Sequence, residues 1–261
     1  MDSNTPDLWD AVWDSVPDAD PPRIVAREAL SVRWRRMEAV LREAFGSLAG
    51  LSAIEIGAGA GVYAALMAAR GADVTLVDYS PQALATSRRF FSALGLSARA
   101  LEADALDLPP ALVGRHDVSM SFGLAEHFAD ARRARVIRAH FEVLRPGGMA
   151  FISVPNCHNL PYRLFKFAAE RTGRWRVGEE YPFSRRELRE LCQAAGAERC
   201  SFLGDSLYAS LRFLVPTRIK LRLARLGDAL GWPSERLERG TPLDAYLSYA
   251  LVACATTAKM A

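Results

Sequence analysis

The sequence predicts an α/β protein with a largely parallel sheet and helices on both of its faces. Short apolar segments alternate with helical segments over residues 51–156, which is the pattern of consecutive β/α units. A glycine-rich turn at residues 57–61 joins the first such strand to a helix. Turns of this kind let backbone N–H groups approach a ligand closely, so the segment favours a nucleotide-like cofactor.

The N-terminal 50 residues are expected to form a helical cap before the first strand. Residues 1–22 are acidic and contain prolines, and we expect them to be partly irregular. Apolar positions then recur at helical spacing from Ile24 to Phe45 and predict one continuous helix, which Gly46 ends.

The remaining elements follow from hydrophobic patterning and from the residues at turns. Helices are expected from residue 61, from about Pro81 with Ser80 as N-cap, over 131–144, and over 184–195 with Ser184 and Glu187 as a capping box. Segments 157–183 and 204–246 interrupt the alternation as insertions. Strands are expected at residues 51–56, 74–78, 98–102, 117–121, 149–154, 197–203 and 247–254.

Composition fits one soluble domain. The 261 residues are 50% hydrophobic and 24% charged, and the net charge of +3 is too small to indicate a nucleic-acid partner. No apolar run approaches the ~18 residues of a membrane span, and the polar, acidic N-terminus is unlike a signal peptide. Four cysteines without paired spacing suggest reduced thiols, and we therefore expect a cytoplasmic protein.

Acidic residues stand at or beside the strand ends, where ligands bind in open α/β sheets. Glu55 lies two residues before the first glycine, and a buried carboxylate there needs a cationic or N–H partner. Asp78 ends the second strand, about 20 residues beyond the glycines, where a carboxylate can accept hydrogen bonds from ribose hydroxyls. Asp104 follows the third strand, and an Asx turn is the competing explanation for it.

Five motifs in order resemble those of class I S-adenosylmethionine-dependent methyltransferases. They are closest in pattern to the small-molecule O-methyltransferases of ubiquinone biosynthesis. The resemblance implies a Rossmann-like sheet of seven strands, the last antiparallel, with lid insertions, and S-adenosyl-L-methionine as cofactor. The motifs are Glu55-x-Gly57-x-Gly59-x-Gly61, Asp78, Asp104, Phe122-Gly-Leu-Ala-Glu-His127, and Pro146-Gly-Gly148 with Ser153-Val-Pro-Asn156.

The same resemblance implies roles for individual residues. His127 is the leading general base, with Glu126 beside it, and His158 and Tyr162 are candidates on the acceptor side. Some ubiquinone-branch members carry a further Glu, implicated in metal binding, where this chain has Gly123, so no metal is predicted. The residues implied in cofactor binding are Glu55, Gly57, Gly59, Gly61, Asp78, Tyr79, Asp104, Ala105, Phe122 and Gly123.

The acceptor is expected to be a small apolar or aromatic metabolite, methylated at oxygen. The N-terminal segment and both insertions are rich in aromatic residues, although packing of a lid onto the core explains most of them. The basic stretch 212–226 is expected to be a solvated lid face or a contact with an anionic membrane. Of the other histidines, His116 and His140 are expected at the surface.

Several alternatives remain open at this stage. N- or C-methylation fits the cofactor motifs equally well, and RNA methylation is favoured only by the basic stretch. A non-catalytic cofactor-binding module would carry an identical cofactor site. A nicotinamide-dependent reductase would use Gly59-x-Gly61-x-x-Ala64 and Tyr162-x-x-x-Lys166, but it leaves Glu55 and Asp104 without roles.

Overall fold

A computed structural model describes residues 5–14, 20–175, 177–215, 219, 222 and 239–259. These residues form one seven-stranded sheet with helices on both faces. The strands are β1 (Ser52–Ile56), β2 (Asp73–Asp78), β3 (Arg99–Glu102), β4 (His116–Phe122), β5 (Leu144–Pro155), β6 (Arg199–Gly204) and β7 (Ala250–Thr256).

Ten α-helices lie within the described residues. Short 3₁₀ turns also occur, at Pro110–Leu112, Ala125–His127 and Leu211–Leu214. The α-helices are α1 (Pro6–Asp14), α2 (Pro21–Ala29), α3 (Val32–Phe45), α4 (Val62–Ala68), α5 (Pro81–Ala93), α6 (Asp130–Glu142), α7 (Leu160–Arg171), α8 (Arg185–Ala194), α9 (Leu207–Ser210) and α10 (Asp244–Leu247).

The strand order is β3-β2-β1-β4-β5-β7-β6. The first five strands pair in parallel, and β7 runs antiparallel to both β5 and β6. The predicted sheet, with its last strand antiparallel, is therefore confirmed. The order reverses between β1 and β4, and the crevice outside the carboxyl ends of these two strands is where ligands bind in such sheets.

The core lies in two layers, one on each face of the sheet. On one face, Val136 and Ile137 of α6 and Leu188 of α8 are completely buried against the strands. On the other face, Trp34 and Met37 of α3 pack with α4 and α5 and are likewise fully buried. Each layer removes a wide apolar surface from water, which is the main stabilising contribution to such a fold.

The structure adds two helices to the expected elements and corrects one expectation. Residues 6–14 form a helix within the N-terminal segment, for which a partly irregular course is expected. The single helix expected over 24–45 is two helices, because the Ser31 side chain accepts a hydrogen bond from Trp34 N and starts α3 anew. The insertion at 157–183 contains α7, whose N-cap is Asn159.

The expectation that His116 and His140 lie at the surface is wrong. His116 is 5% exposed, and its Nδ1 is hydrogen-bonded to the Ser52 hydroxyl oxygen at 2.9 Å. His140 on α6 is completely buried. Among the described residues, no helix combines the length and apolar character needed to cross a membrane. Most of the basic stretch 212–226 lies outside the described residues.

Candidate cofactor and acceptor site

A cavity of about 320 Å³ opens at the carboxyl ends of β1, β2 and β4. Its size falls in the lower part of the ~300–1,000 Å³ range of small-molecule sites. All ten residues predicted for the cofactor line it, together with His127. They are joined by Trp9, Trp13, Ala58, Ala60, Val62, Tyr63, Ala103, Leu124 and Phe128.

The glycine turn between β1 and α4 forms the floor of the cavity. Gly57, Gly59 and Gly61 all have φ between 54° and 72°, a left-handed backbone that favours glycine. A Cβ on Gly57 would lie 2.7 Å from Leu124 Cδ1. The absence of side chains at these glycines therefore permits the left-handed turn and leaves room in the cavity for a ligand.

Glu55 has the N–H partner that its buried position requires. Its Oε2 accepts a hydrogen bond from Ala64 N at 2.8 Å, in the first turn of α4. Burial raises the pKa of Glu55 to about 8, against the lowering effect of that hydrogen bond, and Asp78 raises it further. The carboxyl group lines the cavity, where a cationic group would favour its charged form.

Asp78 fixes the shape of the turn from the end of β2. Its Oδ2 accepts from Gly59 N at 2.9 Å, and its Oδ1 accepts from Ser80 N at 3.0 Å. Burial raises the pKa of Asp78, although these two N–H groups and that of Tyr79 oppose the shift. Each carboxylate oxygen keeps a further lone pair for a ligand hydroxyl.

Asp104 and its neighbours close the cavity beyond β3. Asp104 Oδ1 accepts from Leu106 N at 2.8 Å, so the Asx turn considered for this residue is present. Asp104 nevertheless lines the cavity, as do Tyr79 and Ala105. Its structural role and a ligand role are compatible, because the second oxygen stays outside the turn.

The turn after β4 carries Gly123, Glu126 and His127. Glu126 is 2% exposed, and its Oε2 has no hydrogen-bond partner among the described residues. Burial raises the pKa of Glu126 to about 8. Gly123 has φ 82°, and a Cβ there would meet only Glu126 Oε1, at 3.5 Å. The Glu126 carboxyl group therefore lies directly behind Gly123, which lines the cavity.

His127 is held in one tautomer by the backbone. Its Nδ1 lies 3.0 Å from the carbonyl oxygen of Glu179, and because a carbonyl only accepts, Nδ1 carries the proton. Burial lowers the pKa of His127 to about 4, so the ring is neutral at physiological pH. A neutral imidazole is the form that can accept a proton.

Helix α1 contributes two residues that the sequence did not assign to this cavity. The Trp9 ring packs edge-on against His127 with centroids 4.8 Å apart, and Trp13 lies against Gly59. Asp10 accepts a hydrogen bond from the Ser80 hydroxyl, next to Asp78. The i, i+4 spacing of Trp9 and Trp13 was the available signal, because it places both on one helical face.

The two residues predicted on the acceptor side differ in their placement. His158 is exposed and does not line the cavity. Tyr162 is 1% exposed, and its hydroxyl donates to Glu180 Oε2 at 2.6 Å. Glu180 was not singled out from the sequence, yet its carboxylate and the ligand atoms of Glu126 and His127 all lie within 4.8 Å of one another.

Two arginines of α3 form ion pairs with other segments of the protein and do not line the cavity. Arg33 pairs with Asp205 at 2.8 Å, and Arg36 pairs with the buried Asp244 at the same distance. Tyr63 of α4 stacks on Phe122 with centroids 3.6 Å apart and donates its hydroxyl proton to Glu28. These contacts connect α2 and α3 to the wall near β4.

The cavity fits S-adenosylmethionine by the chemistry of its lining. Three glycines leave room for a ligand against the backbone, and carboxylates stand at three separate points, Glu55, Asp78 and Asp104. Separate carboxylates suit a ligand that presents an ammonium group, ribose hydroxyls and an adenine amino group. They would repel a pyrophosphate, which argues against a dinucleotide.

The fold and this cavity define a class I S-adenosylmethionine-dependent methyltransferase, and comparisons with known proteins agree. Residues 53–148 match the family model described as a methyltransferase domain. The chain is 30% identical over 166 residues to the ubiquinone biosynthesis O-methyltransferase of Azotobacter vinelandii, covering 59% of this chain and 71% of that one. The chain belongs to the class I S-adenosylmethionine-dependent methyltransferases, and its cofactor is S-adenosylmethionine.

Two further similarities extend over more of the chain. The ubiquinone biosynthesis O-methyltransferase of Aromatoleum aromaticum is 29% identical over 208 residues, covering 72% of this chain and 87% of that one. Magnesium protoporphyrin IX methyltransferase from Synechocystis, solved with S-adenosylhomocysteine, has a TM-score of 0.57 at 14% identity, covering 97% of this chain and 94% of that one. At that identity the structural likeness shows the fold alone.

Proposed function

We propose that this methyltransferase transfers a methyl group to a hydroxyl oxygen of a small apolar or aromatic molecule. The observation that carries the proposal is the neutral His127, which lines the cofactor cavity after β4 and stands beside the buried Glu126. A hydroxyl acceptor loses a proton during transfer, and the neutral imidazole of His127 can accept it. The O-methyltransferases to which the chain is similar support oxygen as the acceptor atom.

In this proposal the predicted residues hold the cofactor by complementary chemistry. Asp78 would accept hydrogen bonds from the ribose hydroxyls, and Asp104 from the adenine amino group. Glu55 would face the ammonium group across the glycine turn. Tyr79 would pack on the adenine, and the Phe122 and Gly123 backbone would face the methionine part.

The bound cofactor supplies an activated methyl group on a sulfonium, so the leaving group needs no acid. The protein then has to align the acceptor oxygen and exclude water, and such positioning is worth ~7–11 kcal/mol in favourable cases. Trp9 and Trp13 support this role, because both indoles of α1 line the cavity and add apolar surface to it.

The proposal is tested with labelled S-adenosylmethionine and a panel of mono- and dihydroxylated aromatic compounds. Methylated products should carry the new group on oxygen. His127→Ala should lower kcat by about 10²-fold or more, since general-base catalysis typically contributes 10²–10⁴-fold, while the S-adenosylhomocysteine affinity stays unchanged. His158→Ala is the matched control, because this histidine is exposed. Normal turnover of His127→Ala would remove the base role, and methylation at nitrogen or carbon alone would overturn the choice of oxygen.

A further inference from the structure

Two carboxyl groups from distant segments meet beside the cofactor cavity. Glu126 lies in the turn after β4, and Glu180 lies in the segment that precedes α8. Their oxygens lie within 4.8 Å of each other, and burial raises the pKa of both. Two acids so close in a shielded place repel each other when both are charged, so the pair favours a positive partner.

Glu126 is the member of the pair with an unmet hydrogen-bond requirement. Its Oε2 has no hydrogen-bond partner among the described residues, although the residue is only 2% exposed. An unpaired buried polar atom costs about 1–3 kcal/mol, so this position favours a ligand that donates a hydrogen bond. Gly123 lines the cavity, and its Cβ position lies 3.5 Å from the other oxygen of this carboxyl group, Glu126 Oε1.

The positive side chains around the pair are engaged with other acids. Arg33 pairs with Asp205, Arg133 with Glu187, and Lys166 with Glu170. Within the part of the chain that the structure describes, Glu126 and Glu180 form no ion pair. The described cations nearest the pair therefore act on it only from a distance: Arg133 and Arg33 lower the pKa of Glu126, and Lys166 lowers that of Glu180, each against the larger effect of burial.

Aromatic rings surround the same place. Tyr162 bonds to Glu180, and its ring lies 5.0 Å from that of Tyr249, which in turn lies 4.9 Å from Phe213. Nearby Glu126 and Glu180 contribute, after burial, to the raised pKa of the Tyr249 hydroxyl. Carboxylates combined with aromatic faces are the usual surroundings of a bound ammonium group.

We propose that Glu126 and Glu180 form a subsite for a protonated amine, so that the acceptor carries a cationic nitrogen as well as an apolar or aromatic body. This inference rests on the proposed function, because it describes the acceptor of that reaction. The ammonium donates hydrogen bonds to Glu126 Oε2 and to Glu180, and the rings of Tyr162 and Tyr249 shield it. An amine held there orients the rest of the acceptor toward the methyl donor.

The test compares two probes that differ in one group. Tyramine carries an ammonium group where tyrosol carries a hydroxyl, and both share the same phenol. Calorimetry on the S-adenosylhomocysteine-loaded protein should show tyramine binding at least about tenfold more tightly, the lower range for hydrogen bonds to charged groups. The Glu126→Gln/Glu180→Gln variant should lose this preference, and Glu180→Gln alone should reduce it. Glu43→Gln/Glu190→Gln, which changes two exposed acids, is the matched control and should keep it.

Three results would overturn the subsite. The first is that both probes bind with equal affinity or that neither binds. The second is a preference for tyramine that persists in the double variant while S-adenosylhomocysteine still binds. The third is tyramine binding that requires an added divalent metal ion. Because the assay measures binding without methyl transfer, failure of the subsite can be distinguished from failure of the proposed reaction. If the protein prefers tyramine but O-methylates no acceptor, the proposed reaction is refuted and the subsite is retained. If it O-methylates an acceptor but shows no preference for tyramine, the subsite is refuted and the reaction is retained.

Discussion

The indole of Trp13 lies so close to Gly59 that a Cβ on this glycine would stand 2.3 Å from Trp13 Cζ2. Gly59 also has φ 54° and donates its N–H to Asp78. One residue without a side chain thus connects the cofactor turn, the end of β2 and helix α1. The position therefore requires glycine for its backbone conformation and for its contact with Trp13, and its N–H is needed by Asp78.

Gly59→Ala is therefore expected to weaken cofactor binding by about tenfold or more. The left-handed backbone alone costs an alanine roughly 1–2 kcal/mol, and Trp13 must also move. Calorimetric titration with S-adenosylhomocysteine measures the effect. Gly95→Ala is the matched control, since Gly95 has φ 65° with nothing within 4 Å of its Cβ position. Equal affinities of the two variants would contradict the prediction.

Asp10 is expected to hold α1 on the cavity. Its Oδ1 accepts from the Ser80 hydroxyl and, at 3.4 Å, from Gln82 N at the start of α5. Asp10→Asn should speed amide exchange in residues 6–14 by about fivefold, given the ~1 kcal/mol typical of such helix-terminal contacts. Hydrogen-exchange mass spectrometry checks this, with Asp7→Asn on the same helix as control. Unchanged exchange would show that the two tryptophans alone dock the helix.

Asp78→Ala should reduce the affinity for S-adenosylhomocysteine strongly. The substitution removes the proposed acceptor of the ribose hydroxyls and leaves Gly59 N and Ser80 N without their partner. Hydrogen bonds to a charged group are worth about 1.5–3 kcal/mol, which corresponds to a loss of at least about tenfold. Asp73→Ala, at the other end of β2, serves as control. An unchanged dissociation constant would exclude Asp78 from the binding site.

His140 is expected to make the protein sensitive to acid. Burial lowers its pKa to about 3, whereas the unfolded chain binds the proton near pH 6.5. Stability from this residue is therefore complete above pH 6.5 and is lost as the pH falls toward 3. Between pH 7 and pH 5 the free energy of unfolding should drop by about 2 kcal/mol because of His140.

Urea unfolding of wild type and His140→Phe at both pH values measures this difference. The variant should lose about 2 kcal/mol less on acidification, whatever its stability at pH 7. His116 and His127, whose pKa values burial also lowers, act in the same direction and remain in both proteins. His158→Phe is the exposed control, and a similar acid response of His140→Phe and wild type would refute the assignment.

The cofactor half of the site was predictable because its signals are local. The glycine turn, Glu55 and Asp78 stand at fixed positions relative to β1 and β2, and the fold brings strand ends together. Trp9, Trp13 and Glu180 were not assigned because they reach the site only through tertiary packing of distant segments. The spacing of Trp9 and Trp13 places both on one helical face, but no local pattern says which part of the molecule that face contacts.

His140 was expected at the surface because histidine is polar, but its position along the helix places it on the buried face. It follows Val136 by four residues and Ile137 by three, so it lies on the buried face of α6. The break between α2 and α3 has a similar cause. Apolar positions continue at helical spacing across it, and only the Ser31 cap signals the new start.

The position of β7 has a consequence for how the chain acquires its structure during synthesis. Residues 250–256 pair with residues 149–155 on one side and with 199–204 on the other. On the ribosome, β1 to β5 can assemble while later residues are still being added, but β6 has no neighbour until β7 emerges. Such long-range pairing is slow, and an exposed strand edge invites aggregation. We expect nascent chains arrested before residue 250 to bind chaperones and not to bind the cofactor stably.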